Sequence, residues 1–417
     1  MSRALLAFVV AICAHVSAQA PGYPHGGGAC QTDDDCSLGG TCAQSVCSCD
    51  PWWTGPTCAL LNLAPAASDK LGLQVDGYHS WGGHALPDTS GTYHGFFSFM
   101  CNHSTLNDWT TKSSIWRATA SRPEGPFTLA SMVAQPWSHN AMIVANPAGG
   151  YLLWQIGTAV TPPSEWAPCY ENTTSAAPGA GSSEYPTSPS KVGGVWTGQI
   201  FVRSAPELAG PWTLVDAGGI HLNATGTWAD ANGANGGNPA VVIFPNGTTL
   251  LYFTATPCPP GWGAVAPNCI GLARADNWSG PYTVIAPEPI TRPESEDAAV
   301  FKDPRGNYHM LTNVGTYHIR CAIGEPCGGH AWSRDALAWS NLTIGAFGPV
   351  IRFTNGSYWH TSYVERPQVL QSADGTPTTF YVGVGRASYM DSASWAQPVC
   401  AAGQEGVCGP TRDHPSV

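Results

Sequence analysis

Charged residues make up 11% of the 417-residue chain, against roughly 25% in ordinary soluble proteins. The few places where acids adjoin other polar groups therefore stand out. The run "ESEDAAVFKDPRGNYHM" (294–310) sets Glu296 and Asp297 side by side, ahead of a short apolar stretch and a Pro-Arg-Gly turn. Glu365-Arg366 precedes an apolar run in the same way, and Gly83-His84, His139-Asn140 and Asn238 head three more. Two carboxylates held near one another can divide a proton-transfer task. One stays protonated and gives its proton to a leaving oxygen, while the other activates a water. A histidine such as His84 or His139 can take either role near neutral pH.

Other chemistries find little support. His330 lies near Cys327 but lacks partners at metal-ligand spacing, so no metal site is expected. No Gly-X-Ser-X-Gly elbow or phosphate loop is present. The net charge of −11 argues against nucleic acid or an anionic membrane surface as partner, since both attract basic patches.

The elements that would position these residues repeat. Turns followed by alternating aromatic segments recur as "SGTYHGFFSF" (90–99), "GGYLLWQIG" (149–157), "NGTTLLYFTA" (246–255), "RGNYHMLTN" (305–313) and "GTPTTFYVGVG" (375–385). Each is preceded by a short apolar run: "GHALPD", "NAMIVAN", "NPAVVIF", "DAAVFK" and "ERPQVLQ". A third element follows. "IWRATASRPEGPFT", "IFVRSAPELAGPWT" and "IGLARADNWSGPYT" share an Ile and, ten positions on, Gly-Pro-aromatic-Thr; "GGHAWSRDALAWS" and "GRASYMDSASW" are looser copies. With 48 glycines, 36 prolines and 17 tryptophans, the composition suits short strands joined by turns. Five units of three or four strands predict an all-β, five-bladed β-propeller, the first strand of each blade lining a central channel. The long spacing inside the second unit reads as a surface loop, 171–194, rich in Pro, Gly, Ser and Thr.

The N-terminus has a secretory look. Arg3 precedes an apolar stretch from Ala4 to Val16, and cleavage after Ala18 is preferred. No later run is long enough to span a bilayer. Loss of Cys13 with the signal leaves an even 14 cysteines, and seven Asn-X-Ser/Thr sequons remain, at Asn102, Asn172, Asn223, Asn246, Asn277, Asn341 and Asn355. A secreted, glycosylated protein is expected. Among the eight later cysteines, chain proximity suggests Cys258–Cys269, Cys321–Cys327 and Cys400–Cys408, leaving Cys101–Cys169, one choice among about 105.

Six cysteines, Cys30, Cys36, Cys42, Cys47, Cys49 and Cys58, crowd into a stretch too short to bury a core, and spacing alone leaves about 15 pairings open. The closing Cys-X-Cys and Trp53-Thr54-Gly55 before Cys58 resemble an EGF-like domain. The resemblance implies Cys30–Cys42, Cys36–Cys47 and Cys49–Cys58, and a module serving as spacer or protein-partner site. The segment before Cys30, "PHGGGA", has no carboxylate for the calcium that some such domains bind. The expected layout is signal peptide 1–18, linker 19–28, EGF-like module 29–59 and propeller 60–417.

The Ile-X-X-Ala…Gly-Pro-aromatic elements, the Gly-X-Tyr strand starts and the acids heading the fourth inner strand resemble the propeller of glycoside hydrolase family 43, over about residues 70–395. The resemblance implies a polysaccharide or glycan substrate, no obligate cofactor, and a channel calcium by analogy only. It also implies a general acid at the head of the fourth blade, at Glu296-Asp297. Strand alternation turns one of the two toward the channel; spacing from Gly306 favours Asp297 and residue type favours Glu296, and Asp297 is chosen. The family's base, an Asp in the first blade, has no counterpart near Gly83, and the third acid falls at Asn238, an amide. Glu365, His84 or His139 would have to substitute, with Asn140, Asn238 and Arg366 as ligand contacts; a Glu365–Arg366 ion pair is the plainer alternative. Two readings follow: a secreted glycoside hydrolase, or an inactive propeller that binds glycan or matrix and is tethered by its N-terminal module.

Overall fold

The computed structural model describes residues 25–157, 169, 199–229, 237–256, 258–259, 268–314, 328–386, 390–402 and 408. The expected signal peptide, the 171–194 loop, Asn172 and the Cys321–Cys327 pair lie outside the described residues. Five antiparallel sheets form five blades. Blade 1 runs Ser80–Pro87, Tyr93–Met100, Ser113–Ala120, Thr128–Ala134, and blade 2 runs Ser138–Ala145, Tyr151–Gly157, Gln199–Ala205, Thr213–Leu214. Blade 3 is Gly237–Ile243, Thr249–Ala255, Cys269–Ala275 and Tyr282–Val284, with Leu222–Asn223 added in parallel at its edge. Blade 4 is Ser295–Lys302, Tyr308–Val314, Gly328–Ser333 and Thr343–Ile344; blade 5 is Tyr363–Gln371, Pro377–Gly385 and Ser392–Pro398.

The first strand of every blade packs against the first strand of the next, and that of blade 5 returns to blade 1, closing the ring. The five apolar runs read from the sequence are these inner strands. The aromatic segments are the second strands, covered on both faces, which is why "TLLYFTA" in blade 3 is buried throughout. The three Gly-Pro-aromatic turns share one geometry: Gly125-Pro126, Gly210-Pro211 and Gly280-Pro281 are all cis, and each glycine is left-handed. The fifth copy is the loosest: the third strand of blade 5 starts at Ser392, so "GRASYMDSASW" contributes only its last residues.

Among the described residues, blade 5 has three strands and no fourth of its own. The segment entering the propeller supplies edge contacts instead, with Leu63 bridging Val399 and Leu73 bridging Ser394, while Ala66 bridges Phe353 of a hairpin formed by Val350–Arg352 and Tyr358–His360.

The N-terminal disulfides are Cys30–Cys42, Cys36–Cys47 and Cys49–Cys58. Cys101–Cys169, Cys258–Cys269 and Cys400–Cys408 staple propeller loops. The N-terminal module is not a bead on a string. Trp53, fully buried, stacks on the His330 imidazole at 4.1 Å and lies 6.3 Å from Phe301, both in blade 4. Its core continues into that of blades 4 and 5 through Leu311, Phe347 and Trp395. Arg305, from the blade 4 turn, donates to the carbonyls of Gly40 and Leu38 and pairs with Asp50 at 2.9 Å. No helix among the described residues is long and apolar enough to cross a membrane.

Candidate active site at the inner strand heads

One irregularity recurs in all five blades. Near its start, each inner strand shifts register against the second strand, at Trp81/His84, His139/Met142, Gly237/Ala240, Glu296/Ala299 and Glu365/Gln368. An extra residue bulges there. It is left-handed every time: Gly82 (φ 54°), Asn140 (56°), Asn238 (47°), Asp297 (62°) and Arg366 (62°). Side chains other than glycine seldom adopt this conformation and do so mostly at sites where structure around them holds it. Five-fold recurrence makes it a designed feature of the propeller axis.

The bulged side chains meet at the axis. Asn140 Nδ2 donates to Asn238 Oδ1. Asp297 forms an ion pair with Arg366, and its Oδ2 accepts from Asn313 Nδ2 at 3.0 Å. Blade 1 contributes no side chain, and the Arg366 stem fills that place: a Cβ on Gly82 would stand 3.0 Å from Arg366 Cβ. Between these groups and Gly83 the free space is only ≈ 20 Å³, about the room of one water. Among the described residues, these polar groups thus largely fill the axis at this level.

The residue just before each bulge is set differently. In blades 4 and 5 these are Glu296 and Glu365, both partly buried. Glu296 Oε2 accepts from Asn268 Nδ2 at 2.9 Å. Burial first, and then the nearby Glu296 charge, push the Glu365 carboxyl up to about 8. Glu365 thus holds its proton to higher pH than an ordinary glutamate, beside a second carboxylate. The expected alternative of a Glu365–Arg366 ion pair gives way to Asp297–Arg366, because the bulge rotates Arg366 toward blade 4.

The histidines are engaged by other partners, although His139 is the residue just before the blade 2 bulge, the position that Glu296 and Glu365 hold in their blades. His84 follows the blade 1 bulge, is buried, contacts the Ile143 carbonyl at 3.2 Å through Nδ1 and stands edge-on to Tyr381. Burial pulls it down to about 4. It is a wall residue between blades, and Gly82 rather than His84 holds the bulge position. His139 is also buried; its Nδ1 meets Ser113 Oγ at 2.7 Å, and burial, then the Arg366 charge, hold it well below the usual imidazole range. Both are neutral, and neither is poised to exchange protons near pH 7.

Asn268 and Asn313 escaped the sequence reading. Asn313 lies directly across from Glu296 in the strand register, so a paired-strand alignment would have revealed it. Among the described residues, the one set of His, Cys and acidic side chains close enough to share a metal is Cys30, Cys36 and Cys47, all committed to disulfides.

No protein-family model matches the chain. The curated proteins likewise contain no match. Solved structures do match. Zg3597, a family 117 glycoside hydrolase produced by the marine bacterium Zobellia galactanivorans, aligns over 85% of this chain and 91% of its own, with 14% identity and a TM-score of 0.52. The catalytic domain of the Coprinopsis cinerea GH62 α-L-arabinofuranosidase aligns over 82% of this chain and 99% of its own, with 10% identity and a TM-score of 0.51. At these identities the likeness establishes the shared five-bladed fold.

Proposed function

We propose that this protein is a glycan-active hydrolase whose acid is Glu365 and whose second carboxylate is Glu296. The observation that carries the reading is the pairing of two partly buried carboxyls on adjacent inner strands, one pushed up to about 8 and so able to keep its proton. Glycoside hydrolysis needs that division of labour. Glu365 gives its proton to the leaving glycosidic oxygen as the C–O bond breaks. Glu296, steadied by Asn268, takes the proton of the water that adds to the anomeric carbon, or bonds to that carbon itself before water releases it.

Asp297, chosen above from spacing, is better placed for structure. Its carboxylate is committed to Arg366 and Asn313 and faces the filled axis. The glycoside hydrolases that share the fold support a glycan as the ligand class. The N-terminal disulfides support an EGF-like module, and with the leader-like N-terminus they support an extracellular setting.

A second reading is favoured by the largely filled axis: a propeller that holds glycan at its mouth without cleaving it. Hydrolysis of a panel of aryl glycosides and polysaccharides by the wild type, Glu365→Gln and Glu296→Gln decides between them. Activity lost in both variants supports the enzyme. No activity in the wild type, with glycan binding retained, leaves the binding protein.

A further inference from the structure

A cleft with polar walls, ≈ 710 Å³, lies at the outer edge of blade 5, and neither Glu296 nor Glu365 lines it. One wall is the segment 67–74 that closes the ring; the other is the hairpin around Phe353 and Trp359. The hairpin is sewn to the segment by Ala66 N–H to the Arg352 carbonyl (2.7 Å) and Thr354 N–H to the Ala66 carbonyl (3.0 Å).

The cleft is rigid in its aromatic and its polar parts. Trp359 and Phe353 both stand edge-on to the buried Trp395, at 5.7 and 6.4 Å between ring centres. One indole thus fixes the attitude of both rings. Gln74 ties the opposite wall together: its Nε2 donates to the carbonyls of Asp69 (2.8 Å) and Leu71 (2.9 Å), and its Oε1 accepts from Arg386 at 3.5 Å. Arg386 is aimed by Asp391, to which its Nε donates at 3.0 Å. Asp69 and Lys70 add one charge of each sign on an exposed rim. Held aromatics for apolar C–H faces, surrounded by paired donors and acceptors with no excess charge, fit a neutral oligosaccharide better than an anion, a cation or an apolar ligand.

We infer that this cleft is a second, non-catalytic binding site for a neutral oligosaccharide, with Trp359 as its platform and Arg386 and Asp69 as its hydroxyl partners. The inference extends the glycan-active reading and rests on it for the ligand class alone. The oligosaccharide has two sources: a stretch of external polysaccharide, or the chain's own glycan on Asn355. The Asn355 Oδ1 accepts from Ser357 N–H (2.9 Å) and Oγ (2.7 Å), and both residues line the rim.

Native affinity electrophoresis in gels containing arabinan, xylan or β-1,3-galactan tests the site. The proteins run are the wild type, Trp359→Ala, Ala67→Trp, Glu365→Gln and Asn355→Gln. Ala67→Trp fills the cleft from an exposed position and leaves the Trp359–Trp395 contact untouched. The expected result is retardation of the wild type and of Glu365→Gln, with Kd weakened about tenfold or more by Trp359→Ala and by Ala67→Trp. Aryl-glycoside hydrolysis should be unchanged in those two cleft variants. Retardation that appears only in Asn355→Gln supports the site and identifies its resident as the chain's own glycan. Equal retardation of the wild type and both cleft variants overturns the inference, as does no retardation of either the wild type or Asn355→Gln. Failure of the hydrolase reading shows itself separately, as absent hydrolysis with these shifts intact.

Discussion

Asp297 and Arg366 occupy the same bulge position in adjacent blades, both left-handed, and pair their charges across the blade 4–blade 5 seam. The pair joins two of the five repeats at the axis, while the residues just before them, Glu296 and Glu365, stand outside it. Replacing Asp297 by Ala leaves the Arg366 charge without its carboxylate in a nearly closed space. The expected cost is about 3–5 kcal/mol, read as a lowered denaturation midpoint. Asp297→Ala combined with Arg366→Met should recover much of that loss. A double variant as unstable as the single one would refute the pairing's structural role.

On the hydrolase reading, loss of the proton on Glu365 is expected to set the alkaline limit of activity. Burial first, and then the Glu296 charge, push its carboxyl up to about 8, so on this reading hydrolysis should fall as pH rises through that region. Glu296→Gln removes the neighbouring charge that adds to the effect of burial in holding Glu365 up. Any residual activity or binding-linked titration in that variant should shift its alkaline limb to lower pH. NMR titration of a specifically labelled Glu365 checks this directly.

Gly82 is required by two constraints together. It is left-handed, and its missing Cβ leaves room for the Arg366 stem at 3.0 Å. Gly82→Ala should cost about 1–3 kcal/mol and displace Arg366 from Asp297. Thermal unfolding and a crystal structure of the variant provide the check. An unchanged midpoint would mean the axis relaxes easily.

Trp53 is the bolt between the N-terminal module and blade 4. Trp53→Ala should lose about 3–5 kcal/mol and raise hydrogen exchange at Phe301, His309 and His330 as well as in the module. Increased exchange confined to the module would show that the two parts are held chiefly by the Arg305 contacts instead.

The pH dependence of stability has two opposed limbs. Burial lowers His84, His139, His309 and His330, although the Asp303 carboxylate opposes it at His309. The unfolded chain therefore binds more protons at these sites, and stability falls as pH drops from ~6.5 through about 4 for His84. Glu365 and Asp50 act the other way. Burial raises them to about 8 and about 6, so the folded chain binds more protons and stability declines as pH rises through those values. Melting temperature should peak at weakly acidic to neutral pH. Glu365→Gln should flatten the alkaline limb only.

The blades were legible because their signals are local. Each inner strand is a short apolar run, each second strand an aromatic one, and the Gly-Pro-aromatic turn marks the outer edge three times. The bulges were not legible, because they insert one residue without changing the apolar pattern that follows. That single offset placed His84 at a strand head where Gly82 belongs. It also hid the exchange of partners at the blade 4–blade 5 seam. The carboxylates were found by their scarcity, but their grouping depends on which blades adjoin and how far each bulge turns its neighbour. In the sequence His330 stands out only by its nearness to Cys327. In the fold it is the far end of a buried chain in which Asp303 contacts His309 at 3.3 Å and His309 contacts His330 at 2.9 Å, capped by Trp53 from a segment far away in sequence.

The contacts of residues 63–73 with blade 5 impose an order of events on synthesis. Ser80 and Ser394 are joined by a hydrogen bond spanning 314 residues, and Leu73 bridges the same serine. A ribosome releases Leu71 and Leu73 well before the strand Ser392–Pro398 that Leu73 bridges, at about 5–20 residues per second. Until then Leu73 is without the strand it bridges in the fold. Arrival of Ser392–Pro398 ends the wait, so the closing step acts as a built-in check that a nascent chain has been translated through its fifth blade.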